Sequence, residues 1–426
     1  MLILGIHPGY HDAVAVVFDD YRMVAAVQLE RLTRVKIDGG RIPFEAIDSC
    51  LEIAGTTRRD VDVLCLGRGA FPSRYYTHLT AGRRIERAVR IAAAHEKHKS
   101  MERELVRAYR TDSENIFAST KFVADAGFRT DVKVRFFNHH YAHALPCLFH
   151  TDWDDALLYT SDGGGDNVQY SARHFRDGRI SLGFGGDEGL LEPMRIDSLG
   201  LAYGYATMAL GYRMNRHEGK LTGLAAYGEP TGFDDLSCHF GVDAGGRVIS
   251  DFPTYAAMRD RVFEIARGSS RADMAATVQA LLEEFTLRSI TRLLDRHPTG
   301  NIGVAGGVFG NVRLNQRLVR ETGGNEIFIY PAMSDAGLAA GGVLQFLLER
   351  DGIEPWLNSR YRLEHLYYGP DHGSAIDKTL AADARFAQVA NTPVNTTVRL
   401  LTEGKVVAIY TKGMEYGPRA LGARSI

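Results

Sequence analysis

The stretch 156–175 reads ALLYTSDGGGDNVQYSARHF. Its first five residues form an apolar strand, 161–167 is a turn of serine, aspartate, glycine and asparagine, and 168–175 returns as a strand closed by Asp177-Gly178. The same grammar opens the chain: 2–6 is apolar, His7-Pro8-Gly9-Tyr10-His11-Asp12 makes a polar turn, and 13–18 resumes as a strand. A strand–turn–strand unit that occurs twice predicts an α/β fold of two similar lobes with a ligand held between them. Glycines in such turns let backbone N–H groups approach a phosphate with no Cβ in the way, although a tight hairpin uses the same residues.

Between the two units, a strand over 132–137 feeds Asn138-His139-His140-Tyr141-Ala142-His143-Ala144, and 141–149 reads as a helix. Helical spacing stacks His139 and His143 on one face and turns His140 away. Two imidazoles on one face bind a divalent transition metal when carboxylates arrive from elsewhere; alone, such a pair is a surface or core feature. Asp335 lies at the carboxyl end of a strand over 326–330 and just before a helix over 338–348, where open α/β sheets bind ligands and where N-capping is the plainer role. A strand over 301–307 delivers Gly306-Gly307 to a helical segment over 308–319 that contains Asn311 and Asn315, a seat for the phosphates or ribose of a nucleotide.

With 426 residues the chain has room for two or three domains. A hydrophobic share of 45% and a formal net charge of −2 give no basic surplus, so no nucleic-acid partner is expected and an anionic ligand must be held by local groups. Cys50, Cys65, Cys147 and Cys238 show no CxxC spacing, which suits a reduced, cytoplasmic compartment. The N-terminus lacks a basic leader and no apolar run reaches membrane-spanning length, so no membrane association is expected.

Elsewhere, a third apolar run over 23–29 leads into the charged segment 30–36, a helix is expected over 43–54 and a strand over 61–67. From 83 to 110 the chain is charged and helical in period, with Ile85, Ala88, Val89, Ile91 and Ala92 apolar, and reads as a helical insertion at the mouth of a cleft. His217-Glu218-Gly219-Lys220 precedes a long amphipathic helix over 274–296. Past Arg350, Gly352 and Pro355 break the helix, 361–368 reads as a short connecting strand, and a helix over 394–403 and a strand over 406–410 begin a new unit. One helix and one strand bury no core of their own. That unit is expected to be the start of a domain cut short at Ile426.

Taken in order, these segments resemble a known family: Gly9-Tyr10-His11-Asp12-Ala13, the run 30–36, the His139/His143 stretch, Glu218-Gly219-Lys220 with Gly223-Leu224-Ala225, Gly306-Gly307-Val308 with Asn311, Asp335-Ala336-Gly337, and Gly417-Pro418-Arg419-Ala420-Leu421-Gly422. The chain is similar to the O-carbamoyltransferases of the nodulation-protein and antibiotic-tailoring type. Those enzymes join a Kae1-like domain of actin-like, two-lobed α/β fold to a YrdC-like domain. The resemblance implies lobe I over 1–153 with an insertion at about 75–120, lobe II over 154–350, and a linker plus the N-terminal fragment of a YrdC-like α/β domain over 351–426. It also implies a two-step reaction: carbamoyl phosphate and ATP give carbamoyl-adenylate, and the carbamoyl group then passes to a hydroxyl of a sugar or natural product. As the chain stands, the transfer half is expected and the activation half is not.

Carried over residue by residue, the resemblance makes His139, His143, Asp162 and Asp335 ligands of a divalent metal, iron first, with manganese and zinc as alternatives. It makes His11, Asp12 and Lys36 catalytic, assigns Gly163, Gly164, Gly165, Asn167, Gly306, Gly307, Asn311 and Gly337 to the nucleotide, and Glu218, Lys220 and Arg419 to substrate. Thr222 stands where the family has Met, and the turn after Asp162 carries an unusual triple glycine. Partners are expected to be small molecules, with a homodimer compatible and unspecified. Two other readings fit the residues: a Kae1-like protein that modifies tRNA, disfavoured by the near-neutral charge, and a nucleotide-gated binding module without group transfer.

Overall fold

A computed structural model describes residues 1–426 except 70, 83, 84, 86–88, 90–101, 324, 325 and 388–391. The first sheet contains β1 (Leu2–His7), β2 (Val14–Asp19), β3 (Arg22–Gln28), β4 (Val63–Gly67) and β5 (Lys133–Phe137), in the order β3-β2-β1-β4-β5. The second contains β6 (Asp155–Gly165), β7 (Val168–Arg176), β8 (Arg179–Phe184), β11 (Asn301–Ala305) and β12 (Glu326–Ile329), in the order β12-β11-β6-β7-β8. The short hairpin β9 (Phe240–Val242) and β10 (Val248–Ser250) falls between β8 and β11 in sequence. In each sheet the first strand pairs antiparallel with the second and parallel with the fourth. The repeated connectivity is a duplicated, two-lobed α/β architecture, as the repeated strand–turn–strand grammar anticipates.

Three helices carry or brace the site: α1 (His139–Phe149), α2 (Arg271–Arg296) and α3 (Leu338–Asp351). α1 is nearly all buried and α3 is buried over its first two turns and more, because they pack on each other between the two sheets. Their contact turns on two special residues. Pro146 has no N–H to donate to the Ala142 carbonyl, and that carbonyl faces Gly341, where a Cβ would lie 1.7 Å from the oxygen. Gly341→Ala is therefore expected to push the helices apart beside the histidines, costing about 1–3 kcal/mol in a urea titration.

Several local readings need correction. The turn expected over 161–167 is only Asp166-Asn167, with φ of 50° and 66°. Two left-handed residues close a two-residue hairpin, so β6 continues through the glycines and Gly165 pairs with Val168. The expected strand over 361–368 is an irregular strap that hydrogen-bonds at the edge of the first sheet: Ala26 N donates to Tyr368 O at 3.0 Å and Met23 N to Tyr361 Oη at 3.2 Å. Of the strand expected over 406–410, only Ile409–Tyr410 forms, against Arg424–Ser425. β8 and a helix over Gly373–Ala382 were not anticipated. Much of the expected insertion, including Ala88, Ile91 and Ala92, lies outside the described residues; within them, Glu102–Tyr109 is helical.

His150, just past α1, is buried; its Nδ1–H donates to Tyr361 O at 3.1 Å and its ring stacks on Tyr330. Burial pushes it down to about 4. The unfolded chain takes up this proton near the ordinary value of 6.5 and the folded chain does not, so stability falls as pH drops from 6.5 towards 4. At about 1.4 kcal/mol per unit, the loss by pH 4 is about 3 kcal/mol. His150→Gln is expected to make the dependence of the urea midpoint on pH shallower in that window, leaving the part contributed by other buried histidines such as His140.

Candidate metal centre

Each candidate ligand is placed by the end or the face of an element. Asn138 caps α1 by accepting from Tyr141 N at 2.7 Å. This fixes the first turn and puts His139 and His143 on one inward face. Asp162 projects from β6, and Asp335 opens the short turn Asp335–Gly337 after β12. Ser334, not Asp335, caps that turn, its hydroxyl accepting from Ala336 N; the aspartate is thereby free of the capping role that its position suggests. His140 points the other way, where Thr160 Oγ1 and Val168 O satisfy its two nitrogens at 2.7 and 2.8 Å.

His139, His143, Asp162 and Asp335 converge so that one ligand atom from each lies within 4.8 Å of all the others. His139 Nε2 is 3.2 Å from Asp162 Oδ2 and 3.6 Å from Asp335 Oδ1; His143 Nε2 is 3.4 and 3.5 Å from the same two oxygens. Donors bound at about 2.1 Å in a tetrahedral shell stand about 3.4 Å apart. All four residues are buried, and His143 Nε2 and Asp335 Oδ1 make no hydrogen bond. Buried polar atoms left without partners are what an ion satisfies. Two nitrogens and two carboxylates therefore fit a divalent transition metal.

The electrostatics agree. Burial and their mutual repulsion oppose charge on Asp162 and Asp335, yet the facing imidazoles hold both below the ordinary carboxylate range. Burial likewise opposes charge on His143, and the two carboxylates outweigh it, lifting it to about 9. A pair of carboxylates this close needs positive charge between them.

His11, in the β1–β2 turn, has Nδ1 3.4 Å from Asp12 Oδ2 and 3.9 Å from Asp335 Oδ2. Burial opposes its charge, but Asp12 and Asp335 raise it to about 10. His7, which in the sequence reads only as the start of a turn, ends β1 with Nε2 3.6 Å from Asp335 Oδ2, and neither ring nitrogen hydrogen-bonds. Burial keeps it below its ordinary value.

The other predicted residues fall at varied distances from this cluster. Gly307 touches it: a Cβ there would meet Asp162 Oδ1 at 3.0 Å. Gly306, at φ 103°, packs on Ser161, and Gly163 N donates to Asp162 Oδ1 at 2.6 Å. Gly165 lies against the His139 ring and Gly337 against Ala332 O; Gly164 has φ 145°. Asn167 and Asn311 have structural work: Asn167 Nδ2 donates to Gly189 O, and Asn311 caps Val312–Glu321 while bonding Gln279. Arg419 donates to Gly310 O, and Lys36 Nζ donates to Arg216 O at 2.6 Å. Burial raises Glu218, which also feels the charge of His11. Lys220 lies over the Tyr212 ring.

One supporting network gave no sequence signal. Arg68, at the end of β4, donates through Nη1 to Asp166 Oδ2 and Asp187 Oδ1, both at 2.8 Å. Asp166 Oδ2 also accepts from His139 N at 2.9 Å, and Asp187 Oδ1 from Asn138 Nδ2 at 2.9 Å. The network clamps the first turn of α1 between residues of both sheets. At the other side, Tyr416 Oη donates to Ala336 O at 2.6 Å, backing the turn that carries Asp335.

The chain has recognisable relatives. A family model described as Carbamoyltransferase N-terminus matches residues 2–344, and one described as Carbamoyltransferase C-terminus matches 398–426. The chain is 30% identical to the nodulation protein NolNO of Sinorhizobium fredii over 98% of this chain and 58% of the relative. It is 31% identical to the nodulation protein NolO of Bradyrhizobium diazoefficiens over 68% of this chain and 52% of the relative. The chain thus spans little more than half the length of these two proteins. Among solved structures, the phosphate- and nucleotide-bound full-length HypF aligns with a TM-score of 0.42 at 12% identity, over 82% of this chain and 56% of that one. Component A of the (R)-2-hydroxyglutaryl-CoA dehydratase of Acidaminococcus fermentans aligns with a TM-score of 0.42 at 14% identity, over 80% and 96%. Among the described residues, no helix is long and apolar enough to cross a membrane.

Proposed function

We propose that this chain, which belongs to the carbamoyltransferase family, transfers a carbamoyl group from carbamoyl-adenylate, itself formed from carbamoyl phosphate and ATP, to a hydroxyl of a sugar or natural product. The observation that carries this reading is the convergence of His139, His143, Asp162 and Asp335 within 4.8 Å beside His11. A divalent metal held by those four residues, iron, manganese or zinc, would supply Lewis-acid stabilisation of the charge that develops on the carbonyl. The chain's own groups account for the rest. Asp12 and Asp335 face Nδ1 of His11 and favour its charged form; a cation held by Asp335 would oppose that charge and leave Nε2 free to take the proton of the acceptor. The acceptor oxygen attacks the carbamoyl carbon and gives its proton to His11 Nε2; the bond from that carbon to the phosphate oxygen breaks, and AMP leaves with the electron pair.

In this reading Lys36, Glu218, Lys220 and Arg419 bind and orient the substrates, and the segments at 163–165, 306–307 and 337 border the nucleotide. Residues 1–153 and 154–350 are the two lobes of the transfer domain, and 351–426 is a linker with the start of a YrdC-like domain. The test supplies preformed carbamoyl-adenylate to the metal-loaded chain with hydroxylated acceptors. AMP release and a carbamoylated acceptor seen by mass spectrometry are expected; AMP release no faster than without protein would refute the assignment.

A further inference from the structure

Resting on that transfer reading, the surface beside the centre says what kind of acceptor it takes. Residues 211–220, GYRMNRHEGK, carry Arg213, Arg216 and Lys220 and one carboxylate, and that carboxylate, Glu218, is already engaged by Asn215 N. The cations gather around two rings. Lys220 Nζ is 5.2 Å and Arg271 Cζ 5.0 Å from the centre of the Tyr212 ring, and Tyr212 meets His217 edge-on at 6.0 Å. Lys36 reaches this loop from the first lobe through the Arg216 carbonyl. Desolvation and then Lys220, Lys36, Arg213 and Arg216 push His217 below its ordinary value. Among the described residues, none of these five cations forms an ion pair with a carboxylate.

Unpaired surface cations are ordinary when solvated singly; five gathered around one loop repel one another and raise the local concentration of anions. The position of the loop gives this a use. Lys36 leads into a turn that lies on His11, where a Cβ on Gly39 would meet the His11 backbone at 2.8 Å, and His11 faces Asp335, so the basic rim that Lys36 joins borders the reacting centre. A carbamoyl-adenylate brings a single phosphate, which leaves most of the rim unmatched. We propose that the rim selects an acceptor that carries negative charge, a phosphate or a carboxylate, near the hydroxyl that is modified.

The test is calorimetric titration of the full chain with glucose 1-phosphate, glucuronate, glucose and glucosamine, with AMP as a control. Binding is expected for at least one anionic sugar, weakening as salt is raised, and not for the neutral or cationic ones; which anion binds better tells phosphate from carboxylate. The double variant Arg213→Gln, Arg216→Gln is expected to lose about tenfold or more of that affinity with AMP binding unchanged. The proposal is overturned if neither anionic sugar binds at millimolar concentration, if glucose or glucosamine binds as well, or if the double variant binds as the wild type does. An equal loss of AMP affinity also overturns it, since the rim then serves the donor. Metal content and AMP release from carbamoyl-adenylate into water report on the transfer site itself, so failure of that reading shows separately.

Discussion

His143→Ala is expected to remove the metal and the transfer activity together. The side chain supplies one of four donors in a buried site, and its Nε2 has no other hydrogen-bond partner, so its loss leaves two nearby carboxylates with one imidazole between them. Substitution of groups that merely orient metal ligands costs about 10- to 100-fold in affinity or activity; loss of a ligand is expected to exceed that. Asp335→Asn is expected to act in the same direction, since the centre depends on two negative charges. The informative contrast is His140→Ala, one residue after His139 in the same helix. That change breaks two buried hydrogen bonds and is expected to cost stability at roughly 1–3 kcal/mol, yet to leave about one metal ion per chain. Elemental analysis of the three purified variants, with circular dichroism to confirm folding, makes the comparison. Equal metal content in His143→Ala and wild type would rule this site out.

His11→Gln is expected to give the opposite split: metal retained and transfer reduced by about 10²- to 10⁴-fold, the usual contribution of a general base. His11 lies 3.9 Å from Asp335 but is not one of the four converging ligands, so the substitution leaves the donor set intact. AMP release from carbamoyl-adenylate in the presence of acceptor, measured alongside metal content, reads both. A variant with normal transfer would mean that another group takes the acceptor proton.

The duplicated lobes were legible because burial on both faces writes strands as continuous apolar runs, as in 2–6, 13–18 and 156–160. The pair His139 and His143 was legible for a related reason: helical spacing alone puts both on one face, and the same spacing sends His140 into the core. Where the sequence misled, glycine was usually the cause. Gly163–Gly165 reads as a turn on composition, but the left-handed pair Asp166-Asn167 carries the reversal and the glycines stay in β6; Gly165 is there because the His139 ring lies where a Cβ would be. His7 was hidden by its place before a proline, which reads as punctuation, although it ends a buried strand against Asp335. The clamp of Arg68 on Asp166 and Asp187 spans 98 and 119 positions; no local pattern records such a pairing. Asn311, which reads in the sequence as part of a nucleotide seat, uses its side chain to cap a helix and to bond Gln279, partners that its local sequence does not reveal.

Everything proposed for this chain requires that these four side chains hold one cation. Crystals of the metal-loaded protein, with diffraction data collected on both sides of the metal's absorption edge, test that most directly. One anomalous peak is expected among His139, His143, Asp162 and Asp335, about 2.0–2.2 Å from a nitrogen or oxygen of each. A peak elsewhere, or no peak among the four in protein that elemental analysis shows to contain metal, would contradict it.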